Sequence, residues 1–184
     1  MNLHGNKLVR HLAALVCMMF LSCTLVRSQD VNYNAAPGTD FSKFKTYKWV
    51  SIKGAEQPNQ IVDEQIKQSV DAQLATKGLS KVDSDTADLY IGYQVSINQE
   101  QQFNTYDSGG GYWRYGGGMS TTTTSTIQVG TLALDMYDQS AKQLVWRGSA
   151  TKTLDPKAKP DKRQKNLDKA VAKLLKNYPP PAKK

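Results

Sequence analysis

Apolar and polar side chains alternate in two neighbouring segments of the C-terminal half, residues 126–138 and 143–154. Because successive residues of a strand point to opposite faces, the alternation predicts two β-strands that each bury one face. Asp138–Lys142 supplies turn-forming side chains between them, so the pair is predicted to form an antiparallel hairpin. Gly130 interrupts the first strand and predicts either a β-bulge or a close approach of another part of the chain. The predicted buried face of the second strand carries Leu144, Trp146, Gly148 and Ala150.

Three further segments have the pattern of strands. Residues 87–98 alternate most regularly, with five apolar side chains on one face and a mostly polar second face. Tyr47 and Trp49 alternate with lysines, which predicts a strand with buried aromatic rings and solvated lysines. Residues 30–34 have the composition of a short first strand.

Two segments repeat apolar side chains at helical spacing. The first is predicted to begin after Asn59, a typical N-cap residue, and to end at Gly78. The second is predicted to begin at Pro160 and to bury the stripe of Leu167, Val171, Leu174 and Tyr178. Strands and helices in this order predict an α+β fold: a small antiparallel sheet of four or five strands with both helices packed on one face.

Residues 1–28 have the pattern of a secretory signal: basic residues, then an apolar run too short to span a membrane. Cleavage after Ser28 is the favoured processing route, and lipidation at Cys23 is the alternative. The protein is therefore expected to be exported across an inner membrane, and to be periplasmic or, if Cys23 is lipidated, membrane-anchored. Residues 29–180 are predicted to form one domain, followed by a basic tail at 181–184.

Histidine and cysteine are missing from the predicted domain, because both histidines and both cysteines lie within residues 1–28. The domain therefore lacks the commonest general base, a thiol nucleophile and the usual zinc ligands. We expect no catalytic residues, no metal site and no cofactor.

Basic side chains are concentrated near the C-terminus. The chain has a net charge of +8, and residues 157–184 contain ten lysines and arginines against two aspartates. The lysines of the second helix are candidates for contact with anionic lipid or polyanionic cell-wall material; solvation of an outer helix face is the alternative. Nucleic acid is not expected as a partner, because an exported protein rarely meets it. The candidates are Lys162, Lys165, Lys169, Lys173 and Lys176.

Two glycine triplets bracket an aromatic cluster between the predicted strands. The composition of residues 105–125 predicts a flexible loop, because few of its side chains can offset the cost of ordering the backbone. The threonines at its end have strand propensity, and the alternative for them is an extension of the following strand. Exposed aromatic rings on such a loop can contact a sugar or another envelope protein; an insertion without a function is the alternative. The candidate contact residues are Tyr112, Trp113, Arg114 and Tyr115.

Acidic side chains cluster twice without the spacing of a known cation loop. Local backbone bonding explains them better than a metal site does. Likewise, Trp146 is predicted to be a core residue, and Arg147 its exposed neighbour, in preference to a ligand-stacking pair. The acidic groups are Asp135, Asp138 and Asp155, and then Asp83, Asp85 and Asp88.

The ordered set of motifs resembles the bacterial exported proteins grouped as domain of unknown function 4136. The resemblance extends from about Val31 to Pro180. It implies an envelope protein, typically a lipoprotein, with a small α+β fold and no established activity, so it transfers no site residue. The motifs are residues 40–49, Ala87–Leu89, Gly130–Asp138, Leu144–Ala150 and Tyr178–Pro180.

We therefore expect a non-enzymatic binding or structural protein of the cell envelope. One alternative is a glycan hydrolase that uses a pair of carboxylates, as many such enzymes do. Another is an accessory factor in the assembly or trafficking of outer-membrane components.

Overall fold

The computed structural model describes residues 30–107 and 120–181. They contain six strands and two α-helices, so the predicted α+β class is confirmed. The strands are β1 (Asp30–Ala35), β2 (Thr46–Trp49), β3 (Ser80–Lys81), β4 (Leu89–Asp107), β5 (Ser120–Asp138) and β6 (Gln143–Leu154). The helices are α1 (Gln60–Thr76) and α2 (Pro160–Leu174), with short 3-10 turns at Phe41–Lys43 and Leu175–Asn177.

The six strands form one mixed sheet in the order β1-β6-β5-β4-β2-β3. The prediction of a purely antiparallel sheet of four or five strands is wrong, because β2 runs parallel to both β3 and β4. Parallel neighbours require a crossover connection, and α1 supplies it between β2 and β3. Two residues of β3 are too few for an alternating pattern to be recognised in the sequence.

β4 and β5 form a much longer hairpin than the pattern of apolar residues predicts. They pair without interruption from Leu89 opposite Asp138 to Asp107 opposite Ser120. Residues 105–107 and 120–125 of the predicted loop are therefore strand. The threonines at positions 121–124, a residue type enriched in strands, extend β5 as their strand propensity indicates. The rest of the predicted loop lies at residues 108–119, outside the described part of the chain.

The β5–β6 hairpin and its turn at Asp138–Lys142 are confirmed. The strand register is regular at Gly130, over which the side chain of Leu154 packs. A bulge lies instead in β6, where Val145 has no direct partner. The extra residue reverses the phase of the strand, so Leu144 is 37% exposed while Trp146 is buried.

α1 begins and ends where the sequence predicts. Asn59 Oδ1 accepts a hydrogen bond from the Val62 N–H at 3.1 Å, which caps the first turn. Gly78 follows the last turn with a φ of +81°, a conformation that glycine adopts without strain. Leu79 then turns back into the core, where it is 6% exposed.

Both helices contribute side chains to one core cluster together with the strands. α1 and α2 lie side by side, and Ser69 Oγ on α1 donates to Asp168 Oδ1 on α2 at 2.7 Å. Gly148 allows close packing on β6, because a Cβ there would lie 2.7 Å from Leu174 Cδ1. The fully buried side chains include Tyr47, Val70, Leu74, Leu89, Ile91, Leu134, Met136, Trp146, Val171, Leu174, Leu175 and Tyr178.

Candidate functional site

Two of the predicted sites fall outside the described residues. Tyr112, Trp113, Arg114 and Tyr115 belong to residues 108–119, and Cys23 belongs to residues 1–29. The strands define where the first group is attached, since Asp107 and Ser120 pair at the far end of the β4–β5 hairpin.

The five predicted lysines of the second helix are all exposed. Lys162, Lys165, Lys169 and Lys173 follow one another at spacings of three, four and four residues, which places them along one stripe of α2. The prediction that Lys176 belongs to the same helix is wrong, because it lies in the 3-10 turn that follows α2. Lys162 Nζ lies 3.1 Å from Asp155 Oδ2. No carboxylate pairs with the other four among the residues whose side chains are described.

The structure adds a sixth cation to this group. Lys152 on β6 points to the helix-covered side of the sheet, in phase with Ala150 and Gly148. Its pKa is lowered, first by burial and then by the positive charges of Lys169, Lys173 and Lys162. We call Lys152 and the five predicted lysines the lysine face. The alternation of β6 places Lys152 on the inner face, but only the tertiary structure shows α2 beside it.

The structure does not bring the first predicted acidic group, Asp135, Asp138 and Asp155, together into one site. Asp135 is 1% exposed and accepts two hydrogen bonds from Arg147, at 2.5 Å from Nε and 2.6 Å from Nη2. Asp138 closes the β5–β6 turn, and Asp155 pairs with Lys162. Arg147 is therefore more than an exposed neighbour of Trp146, because it neutralises a buried carboxylate.

Asp138 is bound by donors from two parts of the chain. Its Oδ1 accepts from the N–H groups of Ser140 and Ala141, and its Oδ2 accepts from Lys43 Nζ at 2.7 Å. The Lys43 ammonium, followed by the Ser140 and Ala141 donors, holds the pKa of this carboxyl well below its usual range. This is turn chemistry, as the sequence predicts.

The second predicted acidic group is likewise divided. Asp88 Oδ2 accepts from the backbone N–H groups of Lys45 and Thr46, both at 2.8 Å, and joins the start of β2 to β4. Asp85 pairs with Lys48 at 2.6 Å. No group of three metal-ligating side chains occurs within the described ranges.

A network of aromatic and acidic side chains joins α1 to the sheet, and the sequence analysis missed it. Asp71 Oδ1 accepts from Tyr47 Oη at 2.7 Å and from Trp49 Nε1 at 2.8 Å. Asp63 accepts from Tyr93 Oη at 2.5 Å and from Lys67 Nζ at 2.9 Å. Asp63 and Asp71 lie eight residues apart on one side of α1, and that spacing was the available signal.

The electrostatics of this network favour an ionised Asp63 and neutral Tyr47 and Tyr93 phenols. Burial opposes ionisation of Asp63, but the hydrogen bonds from Tyr93 and Lys67 outweigh it, and the pKa of Asp63 is lowered. Burial, followed by the bond to Asp63, raises the pKa of Tyr93.

A crevice of about 60 Å³ opens beside this network and is lined by Trp49, Val50, Ser51, Gln57, Lys67 and Tyr93. Pockets that enclose organic ligands are several times larger. The network's carboxylates already bind donors of the fold, so we assign it to anchoring α1 on β2 and β4.

Fold and site together define a small α+β domain: a mixed six-stranded sheet with a basic helix and a long projecting hairpin. The chain belongs to the family described as domain of unknown function (DUF4136), whose model matches residues 30–180. This confirms the family that the motifs resemble.

The solved structures that match the chain are distant in sequence. A PDZ domain protein from Parabacteroides distasonis is 14% identical, with a TM-score of 0.56, over 85% of this chain and 37% of that chain. The present chain thus spans little more than a third of that protein, and the similarity concerns the fold alone. The PelC dodecamer from Paraburkholderia phytofirmans is 11% identical, with a TM-score of 0.49, over 80% of this chain and 95% of that chain.

A search of curated protein sequences finds no match to the chain. Neither α1 nor α2, the α-helices of the described residues, has the length and apolar character needed to cross a membrane.

Proposed function

We propose that the protein is a non-enzymatic binding domain of the bacterial cell envelope that contacts an anionic surface through its lysine face. The observation that carries the proposal is the stripe of exposed lysines on α2, together with Lys152, which lies on the helix-covered side of β6. Like charges repel one another, so such a group is stabilised by an anion that neutralises several of them at once. Export through the pattern of residues 1–28 would place the domain beside lipid headgroups and cell-wall polyanions.

The arrangement favours contact with a surface over insertion into it. Val171 and Leu174, on the opposite side of α2, are fully buried in the core. The helix therefore has no spare apolar stripe that could enter a bilayer. Each lysine near an anionic membrane contributes about 1 kcal/mol, and three of them amount to roughly a 100-fold change in affinity.

Co-sedimentation with vesicles tests the proposal. The variant Lys165→Gln/Lys169→Gln/Lys173→Gln is compared with a control that replaces Lys45, Lys53 and Lys142, three exposed lysines elsewhere, by glutamine. Both variants lose the same net charge, so only the position of the lysines differs.

The expected result is roughly 100-fold weaker binding of the first variant to vesicles with anionic lipid, and a change of less than threefold for the control. A soluble polyanion in a parallel arm distinguishes a cell-wall polymer from a lipid. Equal losses in both variants, or no binding by the unmodified protein in either arm, would refute the lysine face as the binding surface.

The aromatic residues Tyr112–Tyr115 are a second candidate contact, with a protein or a glycan as the partner. The observation in its favour is the attachment of residues 108–119 at the far end of the β4–β5 hairpin. A photoreactive residue at Trp113 is compared in cells with one at Gln68, which is exposed on α1. A discrete adduct from Trp113 alone is expected, and equal labelling from both positions would contradict the assignment.

A further inference from the structure

The outer part of the β4–β5 hairpin has no neighbouring strand. β2 pairs with β4 only at Leu89–Ile91, opposite Tyr47–Trp49, and β6 pairs with β5 only as far as Gln128. Within the described chain, Glu100–Asp107 and Ser120–Ile127 therefore form a two-stranded ribbon with two open edges. Eight residue pairs correspond to about 26 Å. Two strands alone are marginally stable, and an open edge is a template for another strand.

The edge of β4 lacks lysine, proline and bulges, three of the devices by which proteins protect an open strand. Residues 94–107 contain no lysine, arginine or proline, and the pairing with β5 is regular throughout. This edge is also longer than that of β5, since β5 is covered by β6 up to Gln128. Ile97 and Phe103, on the same face of β4, are 61% and 65% exposed.

The direction of the backbone groups follows from one hydrogen bond at the base of the strand. The Val50 N–H donates to the Ile91 carbonyl at 2.8 Å, so the Ile91 backbone faces away from β5. Backbone groups alternate in direction along a strand, and the register has no bulge. The N–H and C=O groups of Gln101, Phe103 and Thr105 therefore point to the open edge.

We propose that the open edge of β4 pairs with the same edge of a second copy of this chain. Antiparallel pairing about a two-fold axis at Phe103 places this residue opposite its own copy. Gln101 then forms a hydrogen-bonded pair with the partner's Thr105, and the two-fold axis repeats this pair on the other side of Phe103. The result is a continuous four-stranded sheet built from two ribbons.

Charge and space are both compatible with this register. Glu100 lies opposite position 106 of the second copy, six residues from that copy's own Glu100, so that these like charges do not meet. The two Phe103 rings form a cross-strand aromatic pair, which stabilises sheets. The second copy's β4 ends opposite position 99, so it does not reach residues 92–98. These seven residues, about 23 Å of strand, separate it from the part of β4 that pairs with β2.

Two threonines provide a matched test. Thr105 on β4 pairs with Thr122 on β5, and their hydroxyl oxygens are 3.3 Å apart. By the same alternation, the Thr122 N–H points to the open edge of β5. Thr105→Pro and Thr122→Pro therefore lose the same side-chain contact. Thr105→Pro removes one N–H from the β4 edge, and Thr122→Pro removes one from the β5 edge. Neither change removes a hydrogen bond between β4 and β5.

Sedimentation equilibrium of the purified, processed protein measures the association. We expect the unmodified protein and Thr122→Pro to be dimers, and the dissociation constant of Thr105→Pro to rise at least 100-fold. A monomeric unmodified protein at about 100 µM would overturn the proposal. An unchanged Thr105→Pro dimer, or loss of the dimer in Thr122→Pro alone, would also overturn it.

Cysteine cross-linking tests the register independently and does not rely on a proline variant that folds. In a hydrogen-bonded pair of an antiparallel ladder, such as Phe103 and its copy here, the Cα atoms are about 5.5 Å apart, within the range of a disulfide. Phe103→Cys is expected to form an intermolecular disulfide under mild oxidation. Gln101→Cys is expected not to, because its own copy lies four residues away. Efficient cross-linking of Gln101→Cys alone would refute the register.

Discussion

The ion pair between Asp135 and Arg147 allows the most direct test of the packing argument. Arg147→Ala leaves the Asp135 carboxylate, which is 1% exposed, without its two charged hydrogen bonds of 2.5 and 2.6 Å. Removing one partner of a buried pair costs about 3–5 kcal/mol. The Arg147 side chain is itself 53% exposed, so water can partly replace the guanidinium. We therefore expect the free energy of unfolding to fall by about 2–4 kcal/mol.

Urea unfolding followed by tryptophan fluorescence measures this loss. For a domain of this size the denaturant slope is about 2 kcal/mol per molar urea, so the midpoint is expected to move down by about 1–2 M. Arg147→Lys retains the charge but cannot form the paired bonds, and we expect an intermediate midpoint.

The rescue variant decides whether the cost comes from a buried charge. Asp135→Asn removes that charge, so the double variant Asp135→Asn/Arg147→Ala is expected to be more stable than Arg147→Ala alone. If Arg147→Ala changes stability by less than 0.5 kcal/mol, or if Asp135→Asn destabilises it further, the assignment of a buried, neutralised carboxylate is refuted.

Three further changes test separate contacts by the same unfolding assay. Asp71→Ala removes the acceptor shared by Tyr47 and Trp49 and is expected to cost about 2–3 kcal/mol, whereas Asp71→Asn, which keeps an acceptor oxygen, should cost less; equal losses would contradict this. Because the folded-state pKa of Asp138 lies below its unfolded value, ionised Asp138 stabilises the fold above about pH 4, and this stability is lost as the pH falls. The stability difference between the unmodified protein and Asp138→Asn should therefore narrow below pH 4, and a constant difference would refute the linkage. Gly148→Ala places a methyl group 2.7 Å from a buried leucine methyl of α2 and is expected to cost about 1–3 kcal/mol, while a neutral effect would mean that the core is less tightly packed.

Much of the fold could be predicted from the sequence, because its local patterns repeat over long segments. The hairpin turn at Asp138–Lys142, the capping of α1 by Asn59 and the start of α2 at Pro160 all depend on residues close together in the chain. The lysine stripe of α2 follows from helical spacing in the same way. Both helices and most of the strands were therefore accessible without the tertiary structure.

The parts that could not be predicted depend on which distant segments meet. The bulge at Val145 places Leu144 on the solvated side of the sheet. The alternation of apolar and polar residues in β6 does not predict this bulge. The outer ribbon has few apolar residues, so its composition resembles that of a loop. It is a strand pair because β4 and β5 hydrogen-bond to each other along their whole length, which apolar patterning does not reveal.

The sequence by itself determined both helices, the β5–β6 hairpin and the stripe of lysines, because each depends on short-range spacing, and its ordered motifs indicated the family. Only the tertiary structure decided that β2 lies parallel to β4, that Arg147 neutralises Asp135 and that Lys152 joins the lysines of α2. The physical reason is sheet register: strands far apart in the chain become neighbours through backbone hydrogen bonds, which any residue except proline can donate and accept.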